Sequence, residues 1–139
     1  MSDLLSLVQA HYDALMAGDF DTAAGYFAED VETVTPGGTL HGRDAFRAMG
    51  EGFLAAVPDM RHEIVRSFED GDTIIVEGVY SGTQTGPFET PQGTIPPSGN
   101  SFAFPYADFV QVRDGLCVSH RVYWDNVSFL AQIGALPGS

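Results

Sequence analysis

Asp125 closes an apolar run and opens a polar one. Val122-Tyr123-Trp124 before it reads as the end of a strand, and Asn126 to Gly134 after it as a short amphipathic helix. A carboxyl set among aromatic side chains resists ionisation, so its pKa moves towards the range useful for passing protons at neutral pH. The same residue is a good N-cap for the helix that follows. The two roles are compatible, and the sequence leaves both open.

The hairpin leading to Asp125 supplies further candidates. Arg113-Asp114-Gly115-Leu116 is a strong turn signal. With Asp114 and Gly115 as the two turn residues, Val110 falls opposite Ser119, Asp108 opposite Arg121, Tyr106 opposite Tyr123 and Phe104 opposite Asp125. Those eight then share one face of the sheet. Polar groups converging among aromatic walls are what a ligand pocket presents. The other face, with Ala103, Ala107, Phe109, Val118, His120, Val122 and Trp124, is apolar and suits a subunit interface. The opposite assignment stays open, because an apolar face is equally a core, and a bulge in the hairpin would shift the pairing. On this register Asp108 pairs with Arg121, with Cβ atoms about 5 Å apart, and is held ionised. Asp125 lies roughly 13 Å along the strand from Asp108 and is the expected proton carrier. Tyr123, Tyr106, Phe104, Asp108, Arg121 and Tyr12 are the expected substrate-binding residues, and His120 reads as structural.

Other chemistries find no pattern. His11, His41, His62 and His120 stand in no metal-ligand spacing, and HExxH and CxxC motifs are absent, so no metal is expected. No glycine-rich phosphate loop joins a strand to a helix, and no cofactor is expected. Cys117 has no evident activating neighbour and reads as a small buried side chain. Six Arg and no Lys against 19 Asp and Glu give a formal net charge of −13. That balance argues against nucleic acid and against anionic membrane surfaces, and favours a neutral or cationic small ligand. One Cys excludes an internal disulfide. Met1-Ser2-Asp3 lacks the basic start of a secretory signal, so a cytoplasmic location is expected. No apolar run approaches the roughly 18 residues of a membrane span. What remains is carboxylate acid–base chemistry in an apolar pocket, or binding without chemistry.

These residues need elements to hold them. The 139 residues are enough for one domain, spanning 1–139. Leu4, Leu5, Val8, Tyr12, Leu15 and Met16 recur at helical spacing up to Gly18, with Ser2 or Asp3 as cap. Asp19-Phe20-Asp21 opens a second helix reaching Phe27, and Gly42-Arg43-Asp44 a third, which Pro58 closes. Val31 to Thr35 is a short strand. From His62 the period becomes two, with strands over 73–85, 102–112 and 117–124. Helices followed by long antiparallel strands predict an α+β domain with helices on one face of a curved sheet. The connection from Gly86 to Gly99 is long; it is either a lid over the cavity or a plain surface loop.

The chain also resembles a known family. Gly18-Asp19, Pro58-Asp59, Gly82-Thr83-Gln84-Thr85-Gly86, Ile95-Pro96-Pro97-Ser98-Gly99 and the closing Tyr123-Trp124-Asp125 to Gln132-Ile133-Gly134 are similar, in order, to landmarks of the SnoaL-like polyketide cyclases. These belong to the nuclear-transport-factor-2-like superfamily of cone-shaped α+β domains. The resemblance implies a cone-shaped pocket, a homodimer through the outer sheet face, and an acid/base aspartate ending the last strand, a position matched by Asp125. It implies a cofactor-free aldol ring closure or related proton transfer on a small hydrophobic carbonyl compound. The superfamily also contains epoxide hydrolases and non-catalytic binding or assembly modules. The family often has His where this chain has Gln84, and Glu and Trp where it has Ser119 and Arg121.

Overall fold

The computed structural model describes residues 2–90 and 93–136. Three helices come early. In α1 (Asp3–Met16) the Ser2 hydroxyl accepts the Leu5 N–H at 3.0 Å and so caps the helix, which buries Val8, His11, Tyr12, Ala14 and Leu15 along one stripe. Asp19 caps α2 (Phe20–Gly25) through the Thr22 N–H. That helix is two residues shorter than expected, because Phe27 already belongs to β1 (Phe27–Thr35). A short β2 (Gly38–His41) follows, then α3 (Arg43–Ala56), which stops just before Pro58. Arg47 ties α3 to α2 by pairing with Asp21, and it pairs with Glu51 on its own helix.

The helices lie on a six-stranded sheet completed by β3 (Arg61–Asp70), β4 (Thr73–Thr83), β7 (Ser101–Arg113) and β8 (Leu116–Trp124). Its order is β2-β1-β8-β7-β4-β3. Every neighbouring pair is antiparallel except β1 with β8. Alternation along β7 is regular: Phe102, Phe104, Tyr106, Asp108 and Val110 are buried on the helix side. Ile74, Val76, Tyr80, Val31 and Cys117 complete that inner layer. The chain ends its described part in α4 (Asn126–Gln132), whose Phe129 packs against Phe102 and Phe104. The expected α+β architecture, helices on one face of a curved and mostly antiparallel sheet, is the one observed.

One local detail overturns the expected hairpin register. Arg113 does face Leu116 and Val112 faces Cys117, as a two-residue turn requires. Val118 is then left without a partner, and Gln111 faces Ser119. Beyond this bulge every pair is displaced by one: Val110 faces His120, Asp108 faces Val122 and Tyr106 faces Trp124. Because side chains alternate, the displacement exchanges the two faces of β8. His120, Val122 and Trp124 turn inward to join Tyr106 and Asp108, while Arg121 and Tyr123 turn outward. Asp108 therefore does not pair with Arg121. The apolar interface drawn from Phe109, Val118, His120, Val122 and Trp124 does not exist as one face either.

The long connection is more ordered than a bare loop. It carries a small hairpin, β5 (Phe88–Thr90) with β6 (Gly93–Ile95); its Pro91 and Gln92 lie outside the described residues. Gln84, fully buried, anchors it. The Gln84 amide donates to the Gly86, Ile95 and Pro96 carbonyls and accepts the Ser98 N–H at 3.2 Å. Phe88 packs edge-on against Phe53 and reaches Phe129.

Candidate functional site

A cavity of about 670 Å³, its open mouth included, lies between the helices and the inner sheet face. Its lining is assembled from α1 (His11, Tyr12, Leu15), α3 (Phe46, Met49, Gly50, Phe53), β3 and β4 (His62, Tyr80), and the β7–β8 pair. From that pair come Phe104, Tyr106, Asp108, His120, Val122 and Trp124. Seven of the lining residues are Phe, Tyr or Trp, and none is Arg. Such a wall favours a flat or compact apolar ligand. No described residue of the Gly86–Gly99 connection lines the cavity, though its Phe88 packs against the lining residue Phe53. It is a strap held by Gln84 and by Phe88 on Phe53.

The chemistry centres on Asp108, which is 3 % exposed. The Tyr12 hydroxyl donates to its Oδ2 at 2.7 Å, and His120 Nε2 lies 2.6 Å from its Oδ1. The second contact is close but lacks hydrogen-bond geometry, so Oδ1 is left without a hydrogen-bond partner among the described residues. Burial by itself pushes the Asp108 carboxyl up. The His120 ring against Oδ1, together with the hydrogen bond from Tyr12, outweighs burial and holds the group below the ordinary carboxylate range. A buried, ionised carboxylate beside an imidazole can take up and hand on a proton without solvent.

Three more polar groups surround this pair. His11 stacks at an angle on Phe46 and edge-on to Phe27, with Nδ1 3.3 Å from the Ala23 carbonyl; burial chiefly, then the His120 charge, lowers its pKa to about 3. His62 lies flat on the Tyr12 ring, centroids 4.7 Å apart, and burial lowers its pKa to about 4. Both imidazoles are neutral at pH 7. Tyr106 leans across β4, where its partner is Gly78. A Cβ at Gly78 would come within 2.6 Å of the Tyr106 hydroxyl and 2.4 Å of the Glu63 carbonyl, so only glycine lets the phenol lie there. Burial pushes the Tyr106 pKa well up, so it keeps its proton. The buried polar atoms without a hydrogen-bond partner among the described residues are His62 Nδ1, Tyr106 OH, Asp108 Oδ1, His120 Nδ1 and Thr33 Oγ1. Four of those five belong to cavity-lining residues.

Of the residues picked from sequence, Tyr12, Tyr106, Phe104 and Asp108 meet in the cavity. Arg121 and Tyr123 are on the outer face, Tyr123 edge-on to Phe109 and 47 % exposed. Asp125 is exposed and accepts the Ser128 N–H at 3.1 Å, which makes it the N-cap of α4; it is not part of the cavity wall. The sequence reading missed His120, His11 and His62. His11 was legible, since it falls on the α1 stripe with Val8, Tyr12 and Leu15. His120 was hidden by the bulge at Val118.

The comparisons agree with this architecture. The SnoaL-like domain family matches residues 8–120. Among solved structures, the proposed polyketide cyclase IdmH of Streptomyces antibioticus is 28 % identical, with a TM-score of 0.77 over 93 % of this chain and 96 % of that one. A protein of Catenulispora acidiphila with a ketosteroid isomerase-like fold, in complex with trimethylamine, is 25 % identical, with a TM-score of 0.77 over 94 % and 93 %. TerC, co-crystallised with polyporic acid, shares the fold at 20 % identity, with a TM-score of 0.75 over 96 % and 99 %. No curated protein matches. The chain belongs to the SnoaL-like domain family and has its ketosteroid isomerase-like, nuclear-transport-factor-2-like fold.

Proposed function

We propose that this chain is a cofactor-free acid–base catalyst acting on a small, hydrophobic, carbonyl-containing compound. The observation that carries the reading is the ionised Asp108, fully enclosed and set against His120, in an otherwise apolar cavity. The pair removes a proton from the carbon next to a carbonyl; the C–H electron pair becomes an enolate. In a ring closure the enolate carbon attacks a second carbonyl of the same molecule, a C–C bond forms, and the resulting alkoxide takes back a proton from the pair. No proton is consumed overall. Tyr12 orients Asp108 through its 2.7 Å hydrogen bond. The aromatic walls exclude water and align the substrate. The kinship with IdmH supports a polyketide-like substrate. The acid–base role that the sequence suggested for Asp125 is better supplied by Asp108 and His120, because these two face the cavity whereas Asp125 caps α4 outside it.

Proton abstraction can be read without the natural substrate. The α-protons of 2-tetralone in heavy water should exchange faster with the protein than without it, followed by NMR. Asp108→Asn should slow that catalysed exchange by about 10²- to 10⁴-fold, while Asp125→Asn leaves it unchanged. No catalysed exchange, or loss on Asp125→Asn alone, rejects the reading. A binding module without chemistry is the second reading, favoured by the trimethylamine complex of the Catenulispora relative, since aromatic faces attract compact cations. A homodimer through the outer sheet face, with the half-exposed Tyr123 and neighbouring Phe109 at its centre, belongs to the same proposal. Light scattering at micromolar concentration tests it; a monomer rejects it.

A further inference from the structure

The unpartnered atoms of the cavity fall into two sets. Asp108 Oδ1 and His120 Nδ1 belong to the pair built around the ionised Asp108. His62 Nδ1 and Tyr106 OH belong to groups that carry no charge and sit next to each other, ring centroids 5.8 Å apart with planes at 85°. They do not hydrogen-bond to one another. The Tyr12 hydroxyl lies near that of Tyr106 but gives its own hydrogen to Asp108, so the Tyr106 hydrogen stays available to a ligand. Leaving two shielded polar atoms unpaired costs free energy. That cost is recovered if a ligand atom serves both. Tyr106 can donate its hydroxyl hydrogen, and a neutral imidazole carries one N–H. The atom that accepts from two neutral donors is an oxygen without a hydrogen: a carbonyl, or the enolate it becomes.

We propose that His62 and Tyr106 form a second, uncharged pair that holds the substrate's carbonyl oxygen. This rests on the reading of the cavity as a site for carbonyl compounds, and it divides the labour there. Asp108 and His120 move the proton; His62 and Tyr106 receive the negative charge as it forms on oxygen. Neutral donors suit that task because they cannot protonate the enolate outright and do not neutralise Asp108 beforehand. The surroundings enforce the neutrality. His62 is clasped by the Tyr12 and Tyr80 rings at 4.7 and 4.8 Å, with no carboxylate in contact, and Tyr106 lies over Gly78. His62 is thus a further catalytic residue, and its ring must be placed by stacking because no protein hydrogen bond fixes its Nδ1.

The probe pair is 2-tetralone, which has an acceptor oxygen, and tetralin, which has none. With the ketone's carbonyl carbon labelled, its infrared stretch should move to lower frequency on binding. His62→Phe keeps the stack on Tyr12 and loses the N–H. Tyr106→Phe keeps the ring and loses the O–H. Each should return the stretch part of the way and weaken 2-tetralone by about three- to tenfold, with tetralin unaffected. His62→Gln, which restores a donor, should recover part of the shift. Equal weakening of both probes by His62→Phe would make His62 a mere wall and overturn the proposal. So would an unshifted stretch in the wild type, no binding of 2-tetralone, or a shift abolished by substitution of His120 but not of His62. The infrared shift does not require turnover. A shifted stretch without catalysed exchange would therefore sink the acid–base reading alone, and exchange without His62-dependent shift would sink this one alone.

Discussion

A carboxylate removed from water depends on its partners, and Asp108 has two within 2.7 Å. The two contacts have different consequences when broken. His120→Phe fills the space but leaves a buried charge uncompensated, so stability should fall by about 3–5 kcal/mol. Asp108→Asn removes the buried charge itself, so its cost should be distinctly smaller although activity is lost. Tyr12→Phe forfeits one hydrogen bond to a charged acceptor, worth about 1.5–3 kcal/mol. Denaturant unfolding of the three variants tests this order, and an Asp108→Asn protein less stable than His120→Phe would show that the pair is not held as an ion pair. His62→Phe should behave in the opposite sense. It deletes an unpaired polar atom and keeps the ring, so the melting temperature should hold or rise. A fall of several degrees would mean that His62 has a structural partner.

Elements decide which residues meet, and here a single unpaired residue does so. The helices, the long strands and their order were legible because apolar spacing changes cleanly from helical to alternating at His62, and because Ser2, Asp19 and Pro58 mark ends with known stereochemistry. Half of the site was legible too: Phe104, Tyr106 and Asp108 alternate on β7 with no interruption. The other half was not. The unpaired Val118 carries no signature in residue type, yet it determines whether His120 or Arg121 shares the inner face with Asp108. A rule of strict alternation gives the wrong partner by one position, and one position is a whole face. The Gly86–Gly99 connection stayed open between a lid and a plain surface loop for a related reason. Its order comes from the side chain of Gln84, which sits just outside it and takes the place of a sheet ladder. Gln84→Ala should strand those carbonyls and the Ser98 N–H, lowering stability by about 2–3 kcal/mol. Limited proteolysis should then cut within 86–99 first; unchanged protection there would show that Phe88 on Phe53 suffices to hold the strap.

At the scale of the whole molecule, the cavity and the net charge pull stability in different pH ranges. His11 and His62 fold with pKa values near 3 and 4, whereas in the unfolded chain each has about 6.5. Below pH 6.5 the unfolded chain therefore binds protons that the folded one refuses. Their stabilisation is complete above about pH 6.5, declines as pH falls, and is lost by about pH 4 for His62 and about pH 3 for His11. Each group contributes a slope of up to about 1.4 kcal/mol per pH unit within its window. Asp108, also lowered, acts in the same direction further into acid. The surplus of exposed carboxylates acts oppositely, because protonating them relieves self-repulsion, but that relief begins only as pH approaches their own range near 4. Between pH 6.5 and 5 the histidines act almost alone. Melting temperature should thus fall over that interval, and His62→Phe should make the fall about half as steep by removing one of the two groups. A wild-type protein whose melting temperature is flat or rising from pH 6.5 to 5 would show that these imidazoles are not kept neutral, and the uncharged half of the cavity would lose its physical basis.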